Sequence, residues 1–210
     1  MNKDWAEITG KGYYKSYKNK LSQYGNAIGV GRYRLYMAGS ESKTGFYGAI
    51  FKDVYANKYI VAYAGTNDFR DVKSDLQLTT KIYSKGVAQK KYARIVASWV
   101  PANSQIVFTG HSLGGYLASV MSMETGKPSI VFNSPGFGPA YESKAKRSKN
   151  IQFITRHTFK KDPISQYGYQ KGIKQYYYGS SVYRSPFEYG IPKFSMHTLK
   201  NFYTVSLNQK

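Results

Sequence analysis

The chain has 210 residues, of which 41% are hydrophobic and 20% charged. This length and composition are typical of one globular domain with a sizeable core, and they exclude an intrinsically disordered protein. Cysteine is absent, which excludes a disulfide framework and zinc sites built on thiolates. The 31 basic residues outnumber the 11 acidic ones and give a net charge of +20, so polyanions such as nucleic acid or an anionic membrane surface attract the protein.

The N-terminal sequence contains no apolar segment of the kind that a secretory signal requires. No apolar run approaches the roughly 20 residues that span a bilayer. We therefore expect a protein that is either cytoplasmic or exported by a leaderless route, as an injected effector or with a phage. No internal repeat or Pro-rich linker divides the chain, so a single domain is expected over residues 1–210.

The first elements predicted along the chain are two β-rich segments, 45–53 and 58–66, which a short turn joins into an antiparallel hairpin. Residues 84–101 then have the periodicity of an amphipathic helix, which Pro101 would end. On its predicted buried face lie Ala88, Tyr92, Ile95 and Trp99, and on the opposite face lie Gln89, Lys90 and Arg94.

Three apolar runs follow, "QIVFT", "SIVFN" and "IQFIT", and their continuous apolar character predicts strands buried on both faces. A helix is predicted between the first two, from Leu113 to Glu124, with Gly126 at its end. "PAYESKAKRSK" predicts a short basic helix between the second and third, and "MHTLKNFYTVSL" predicts a terminal helix. This alternation of strands and helices indicates an α/β protein with a parallel sheet.

The junction between the first of these strands and its helix carries a G-x-S-x-G pattern, from Gly110 to Gly114. In hydrolases this pattern places a serine on a sharp strand-to-helix turn, where bulky residues two before and two after the serine would collide. The serine then lies at the N-terminus of a helix, where backbone N–H groups favour negative charge. Ser112 is therefore the predicted nucleophile.

A nucleophilic serine requires a base and an acid, and α/β-hydrolases place them in the chain order serine, acid, histidine. Asp162 is the candidate acid because "KKDPIS" follows a predicted central strand, at the sheet edge where catalytic groups gather. His197 is then the base, because His157 precedes Asp162 and His111 lies inside the turn itself. The candidate oxyanion donors are the backbone N–H of Leu113 and Thr66, which follows the second strand of the hairpin.

Five blocks of the chain resemble the fungal-lipase-like serine hydrolases, the class-three lipases, and occur in the same order: "AGTNDFRDVKSDL", "FTGHSLGG", "FNSPGFG", "KKDPIS" and "MHTLKNF". The resemblance implies an α/β-hydrolase fold, with a mostly parallel central sheet flanked by helices, that cleaves acyl esters of lipids. It implies the same triad and oxyanion residues, and a loop-ordering role for Asp75. The chain departs from the family at Ala64, where an arginine is common, and in a small, polar lid segment.

The leading functional hypothesis is a lipase or phospholipase A1-like enzyme that uses an acyl-enzyme and needs no metal or organic cofactor. Its partners would be a phospholipid substrate and an anionic membrane surface, which the tyrosines and basic residues of 166–190 would contact. One alternative is an esterase or thioesterase that acts on small soluble substrates. A further alternative is a basic nucleic-acid-binding protein on a hydrolase scaffold, although no nucleic-acid-binding motif is present.

Overall fold

The structure is a computed structural model that describes residues 5–8, 14–16, 29–30, 32–65 and 75–178. These residues form one sheet of ten strands, together with α-helices and short 3₁₀ helices. The strands are β1 (Trp5–Ile8), β2 (Tyr14–Ser16), β3 (Gly29–Val30), β4 (Tyr33–Glu41), β5 (Phe46–Asp53), β6 (Lys58–Tyr63), β7 (Gln105–His111), β8 (Ser129–Phe132), β9 (Ile154–Phe159) and β10 (Lys174–Tyr178). The helices are α1 (Asp75–Ser98), α2 (Leu113–Thr125) and α3 (Pro139–Arg147), with 3₁₀ helices at Lys149–Phe153 and Ile164–Gln166.

The strands lie in the order β10-β9-β8-β7-β6-β5-β4-β1-β2, and β3 pairs with β4. Neighbours from β6 to β10 are parallel, whereas β4, β5 and β6 are connected antiparallel. Parallel neighbours require crossover connections, and α1 and α2 lie in the connections that precede and follow β7. The carboxyl ends of β6 to β9 therefore meet at one edge of the sheet, which we call the carboxyl edge.

The helices pack against one another and cover the core of the sheet. Tyr116 of α2 is fully buried and lies between Tyr83 of α1 and Tyr141 of α3, with ring centroids 5.3 and 6.3 Å apart. Beneath them, the rings of Tyr63 on β6 and Phe108 on β7 stack at 6.2 Å. Aromatic pairs of this kind add to the hydrophobic burial that holds the layers together.

Most of the predicted elements are confirmed, as is the α/β class with its antiparallel N-terminal hairpin, which is β5 and β6. Helix α2 begins at Leu113 and ends at Thr125, and Gly126 adopts the predicted left-handed conformation at its end, with φ of 69°. The basic segment forms α3. The parallel strands β7, β8 and β9 follow in chain order, as the alternation of strands and helices predicted.

Two predictions were wrong in detail. The run "IQFIT" is not a strand throughout, because Lys149–Phe153 is a 3₁₀ helix and β9 begins only at Ile154. Helix α1 begins at Asp75, so the expected loop at this residue is instead a first helical turn. Tyr92 is buried and Ile95 and Trp99 pack half-buried against the core, as predicted, so the buried face differs from the prediction at Ala88 and Gln89. Gln89 is buried and Ala88 exposed, because the Gln89 side-chain amide donates a 2.7 Å hydrogen bond to the carbonyl of Thr44.

Other predictions fall outside the described residues. These are the terminal helix over "MHTLKNFYTVSL" and the part of the tyrosine-rich segment beyond Tyr178. That residues 1–210 form a single domain likewise stays a prediction. In the described ranges, no helix combines the length and the apolar character that a bilayer crossing requires.

Candidate active site

Ser112 joins β7 directly to α2, and its backbone is bent sharply between them. Its φ of 55° and ψ of −122° lie in a region that non-glycine residues rarely adopt. The residue is held there from both sides: its N–H donates to the carbonyl of Phe132 at 3.1 Å, and its carbonyl accepts from Tyr116 at 3.0 Å. The serine is strained and is held by hydrogen bonds between a strand and a helix. This is the geometry of a nucleophile elbow.

The glycines around Ser112 allow this turn because the backbone approaches other backbone closely on both sides. A Cβ at Gly110 would overlap the backbone of Gly114, and a Cβ at Gly114 would overlap the carbonyl of Tyr63 at the end of β6. The elbow therefore packs against the carboxyl end of β6 with no room for a side chain. The spacing that was noted in the sequence is a steric requirement of the structure.

The side chain of Ser112 lies where a helix N-terminus can act on it. Ser112 is fully buried, and its Oγ has no hydrogen-bond partner within the described ranges. Leu113, the first residue of α2, is also buried. The first N–H groups of a helix have no intrahelical partner, and together with the helix dipole they favour an anion beside the serine oxygen.

Asp162 lies three residues beyond β9 and is fully buried. Its N–H donates to the carbonyl of Phe159 at 2.9 Å, which turns the chain back at the end of the strand. The N–H of Ser165 donates to Asp162 Oδ2 at 3.0 Å, and the Ser165 hydroxyl donates to the Asp162 carbonyl at 3.2 Å. These contacts form a compact turn, the acid turn (residues 159–165), which fixes the carboxylate.

Ser112 follows β7 and Asp162 follows β9. Only β8 lies between these two strands in the sheet. Strands in a sheet lie about 4.8 Å apart, so the carboxyl ends of β7 and β9 are about 10 Å apart. This separation leaves room for an imidazole ring between a serine and a carboxylate. The fold therefore places the predicted nucleophile and the predicted acid at the same edge of the sheet.

Thr66 and His197, the other predicted members of the site, lie outside the described residues. Gly65, which precedes Thr66 in the chain, is described. A Cβ on Gly65 would lie 2.9 Å from the carbonyl of His111 and 3.5 Å from the Cβ of Ser112. The chain that leads to Thr66 thus runs directly alongside the elbow.

His157, which was not chosen as the base, lies among aromatic rings. It lies on β9, its Nδ1 is 2.6 Å from the hydroxyl of Tyr178, and its ring stacks on those of Phe132 and Tyr176 at 5.4 and 5.1 Å. Burial lowers the pKa of His157. These contacts give the ring a packing role. His111 ends β7 as a half-buried residue next to the elbow.

Sequence reasoning assigned no role to two buried polar residues near the site. Asn133 follows β8 with a positive φ of 41°, and its side-chain carbonyl accepts the N–H of Phe159 at 3.1 Å, which ties the end of β8 to the acid turn. Arg156 lies in the middle of β9 and is only 2% exposed. Arg156 directly follows the apolar run "IQFIT" and carried no distinctive signal, and its contacts could not be read from the sequence.

Comparison with known proteins shows two kinds of similarity. A curated protein, the extracellular phospholipase A1 of Serratia liquefaciens, is 32% identical over 143 residues, which are 65% of this chain and 40% of that protein. The lipase of Rhizopus microsporus var. chinensis is similar in structure, with a TM-score of 0.47 and 19% identity over 66% of this chain and 57% of that one. Lipase II of Rhizopus niveus has a TM-score of 0.46 and 16% identity, over 64% of this chain and 60% of that one. The chain thus spans about two fifths of the curated relative and less than two thirds of either lipase.

A family model covers most of the chain. It describes a phospholipase-like family, the Tle-like phospholipase domain, and it matches residues 7–176. This range includes the elbow at Ser112, the acid turn and all of the helices and strands from β2 to β9. The match confirms the resemblance to lipolytic serine hydrolases that the sequence motifs indicated, and the chain belongs to the Tle-like phospholipase domain family.

Proposed function

We propose that this protein is a serine hydrolase that cleaves the acyl esters of phospholipids, in the manner of a phospholipase A1. The observation that carries the proposal is the strained, buried Ser112 at the N-terminus of α2. Membership of a phospholipase-like family and the similarity to an enzyme named phospholipase A1 support the lipid substrate. The buried Asp162 at the same edge supports a triad mechanism.

In the proposed reaction, His197 accepts the proton of Ser112 while the serine oxygen attacks the ester carbonyl. Asp162 orients the imidazole and stabilises its charged form. The tetrahedral intermediate collapses when His197 gives the proton to the leaving oxygen, so that a lysolipid departs and an acyl-serine remains. Water, deprotonated by the same histidine, then attacks the acyl-serine and releases a fatty acid and the free serine.

The negative charge that develops on the carbonyl oxygen needs preorganised donors. We assign this role to the backbone N–H of Leu113, at the start of α2, and to Thr66. The close approach of Gly65 to Ser112 supports the second assignment, because it brings the chain that leads to Thr66 beside the nucleophile. Donors that are fixed in this way need no rearrangement as the charge forms.

The proposed substrate surface is an anionic membrane. Lys160 and Lys161 are exposed and come immediately before Asp162, so they lie at the same edge as the elbow. Exposed tyrosines on β10, Tyr176 and Tyr177, belong to the tyrosine-rich segment that was assigned to headgroups. The curated relative is named an extracellular enzyme, which supports action at a membrane after export.

The nucleophile can be tested with a fluorophosphonate probe, which labels activated serines. The wild type should be labelled and Ser112→Ala should not, because the probe reacts with a serine that a base activates and Ser112 is the proposed one. Ser122→Ala is a matched control: Ser122 is fully buried on the same helix, and its Oγ donates to the carbonyl of Lys127 at 2.7 Å. Full labelling of Ser112→Ala would contradict the assignment.

The substrate can be tested by digesting vesicles of mixed phospholipids with the wild type and with Ser112→Ala. Mass spectrometry of the products should show free fatty acids and lysophospholipids that lack the sn-1 chain, and only with the wild type. Hydrolysis of short-chain nitrophenyl esters without any lysophospholipid would instead indicate an esterase for small soluble substrates. A protein that neither reacts with the probe nor hydrolyses esters would contradict the proposal entirely.

A further inference from the structure

A buried arginine lies between the two parts of the candidate site. Arg156 is on β9, is only 2% exposed, and is among the largest fully enclosed side chains of the described residues. A guanidinium stays charged at neutral pH, and burying a charge is unfavourable unless specific partners compensate it. The partners of this side chain therefore show what it does.

The two terminal nitrogens of Arg156 each donate to a backbone carbonyl. Nη1 donates to Ser134 at 3.0 Å, and Nη2 donates to Ser165 at 2.7 Å. Ser134 belongs to the loop that follows β8, and Ser165 belongs to the acid turn. One rigid, planar group thus connects two loops at the carboxyl edge that are 31 residues apart in the chain, between Ser134 and Ser165.

Each of these loops contacts one half of the proposed catalytic pair. Ser134 packs against the start of α2, where a Cβ on Gly115 would come within 2.7 Å of the Ser134 Cβ. Ser165 donates its N–H to the carboxylate of Asp162 at 3.0 Å. The path from Gly115, three residues after Ser112 on α2, to the acid therefore runs through Ser134, Arg156 and Ser165.

The charges around Arg156 are consistent with this path. Burial lowers the pKa of Arg156 to about 10, and the nearby Tyr177, Asp162 and Tyr83 oppose that shift. The side-chain amide of Gln170 also donates to the Ser165 carbonyl, at 2.8 Å, so this acceptor is held by two donors. The Ser165 carbonyl is thus a second point at which the acid turn is held, besides the hydrogen bond between Phe159 and Asn133.

We propose that Arg156 is a positioning residue that sets the geometry between the Ser112 elbow and the Asp162 turn. The inference rests on the function proposed above, because it assumes that both residues act in one reaction. Arg156 does not touch the reacting atoms. It acts through the two carbonyls that it holds, and a small displacement of Asp162 is enough to lower the rate, since a misplacement of about 1 Å can reduce catalysis about 100-fold.

The test compares Arg156→Met, which removes the charge and both donors, with Arg156→Lys, which retains the charge but loses the planar fork. The measured quantities are the rate of fluorophosphonate labelling at Ser112, and kcat and KM for a soluble short-chain ester. Arg156→Met should lower the labelling rate and kcat about 100-fold with little change in KM. Arg156→Lys should recover part of that loss, and Gln170→Met should have a smaller effect than either.

A double-mutant cycle separates positioning from general loss of stability. If Arg156 acts through Asp162, adding Arg156→Met to Asp162→Asn should lower kcat little beyond Asp162→Asn alone. Ile50→Ala, which leaves a cavity where a fully buried side chain of β5 was, controls for destabilisation and should lower Tm without lowering kcat. If Arg156→Met does not fold, Arg156→Lys is carried through the same cycle.

The outcomes distinguish this inference from the function on which it rests. Labelling that requires Ser112 but is unchanged in the Arg156 variants would overturn the inference alone, as would losses that are fully additive with Asp162→Asn. Full labelling of Ser112→Ala would overturn the proposed function, whatever the Arg156 variants do.

Discussion

At the scale of single residues, the backbone of Ser112 makes a testable difference to stability. Its φ and ψ of 55° and −122° represent strain of about 1–3 kcal/mol for a non-glycine residue. Glycine adopts these angles without strain, although it loses more conformational entropy on folding. We expect Ser112→Gly to be more stable than Ser112→Ala by about 1 kcal/mol, as measured by urea unfolding. Equal stabilities would mean that the elbow is not strained in solution.

His157 gives a second prediction at this scale. Burial lowers the pKa of His157, so the unfolded chain binds a proton at higher pH than the folded protein does. The stability that the neutral ring contributes is present above the ordinary histidine pKa of about 6.5, and is lost as the pH falls below it. Between pH 7.5 and 5.5 the wild type should therefore lose more unfolding free energy than His157→Gln does. Identical losses would contradict this account.

At the scale of elements, Glu124 of α2 connects all three α-helices of the described residues. Its side chain is 8% exposed, and it pairs with Arg94 at 2.8 Å and with Lys90 and Lys144 at 3.4 Å each. Burial alone would raise the pKa of Glu124, but the Arg94 hydrogen bond and these three charges outweigh burial and lower the pKa. The carboxylate therefore stabilises the fold above its ordinary pKa.

We expect Glu124→Gln to lower the unfolding free energy at pH 7 by about 1–2 kcal/mol. This difference should shrink as the pH falls below about 4, where the wild-type carboxylate also becomes protonated. Glu142→Gln is the matched control, because Glu142 pairs only with Lys146 within the described ranges and both side chains are well exposed. Its effect should be below about 0.5 kcal/mol. A control effect as large as that of Glu124→Gln would contradict the role of the buried carboxylate.

Elements whose signals are local were predicted well from the sequence. Helix α2 was predicted to within one residue because Gly126 readily adopts the left-handed conformation that ends it, and the elbow was recognised because its glycines have a fixed spacing. The buried face of α1 was predicted wrongly at Gln89, because this residue finds its partner 45 residues away, at Thr44. The contacts of Arg156 likewise involve carbonyls of other loops. Such partners exist only once the chain has folded, so sequence periodicity carries no record of them.

At the scale of the whole molecule, the net charge of +20 should govern binding to membranes. Binding to anionic vesicles should be strong at low salt and weaken as salt rises, because the Debye length falls from roughly 30 Å at 0.01 M to roughly 8 Å at physiological ionic strength. Hydrolysis of lipid in neutral vesicles should be slower. Rates on soluble short-chain esters should depend little on salt, since these substrates need no recruitment to a surface.

The effect of where the positive charges lie on vesicle binding can be separated from the effect of the total charge. Replacing Lys160 and Lys161 with glutamine removes two positive charges at the carboxyl edge. Replacing Lys58 and Lys127 with glutamine removes two positive charges at the amino ends of β6 and β8. The first change should weaken vesicle binding by about 2 kcal/mol, or roughly 30-fold, and the second should have a smaller effect. Equal effects would mean that only the total charge matters.

The order of the strands from β6 to β10 in the sheet is the same as their order along the chain. During synthesis, each new strand can therefore join the edge left by the one before it, and the sheet can grow in the direction of translation. The elbow at Ser112 leaves the ribosome fifty residues before Asp162 does. A nascent chain thus carries the serine without its carboxylate or its base, and the proposed chemistry cannot begin on the membranes of the producing cell until both Asp162 and the later His197 have been added.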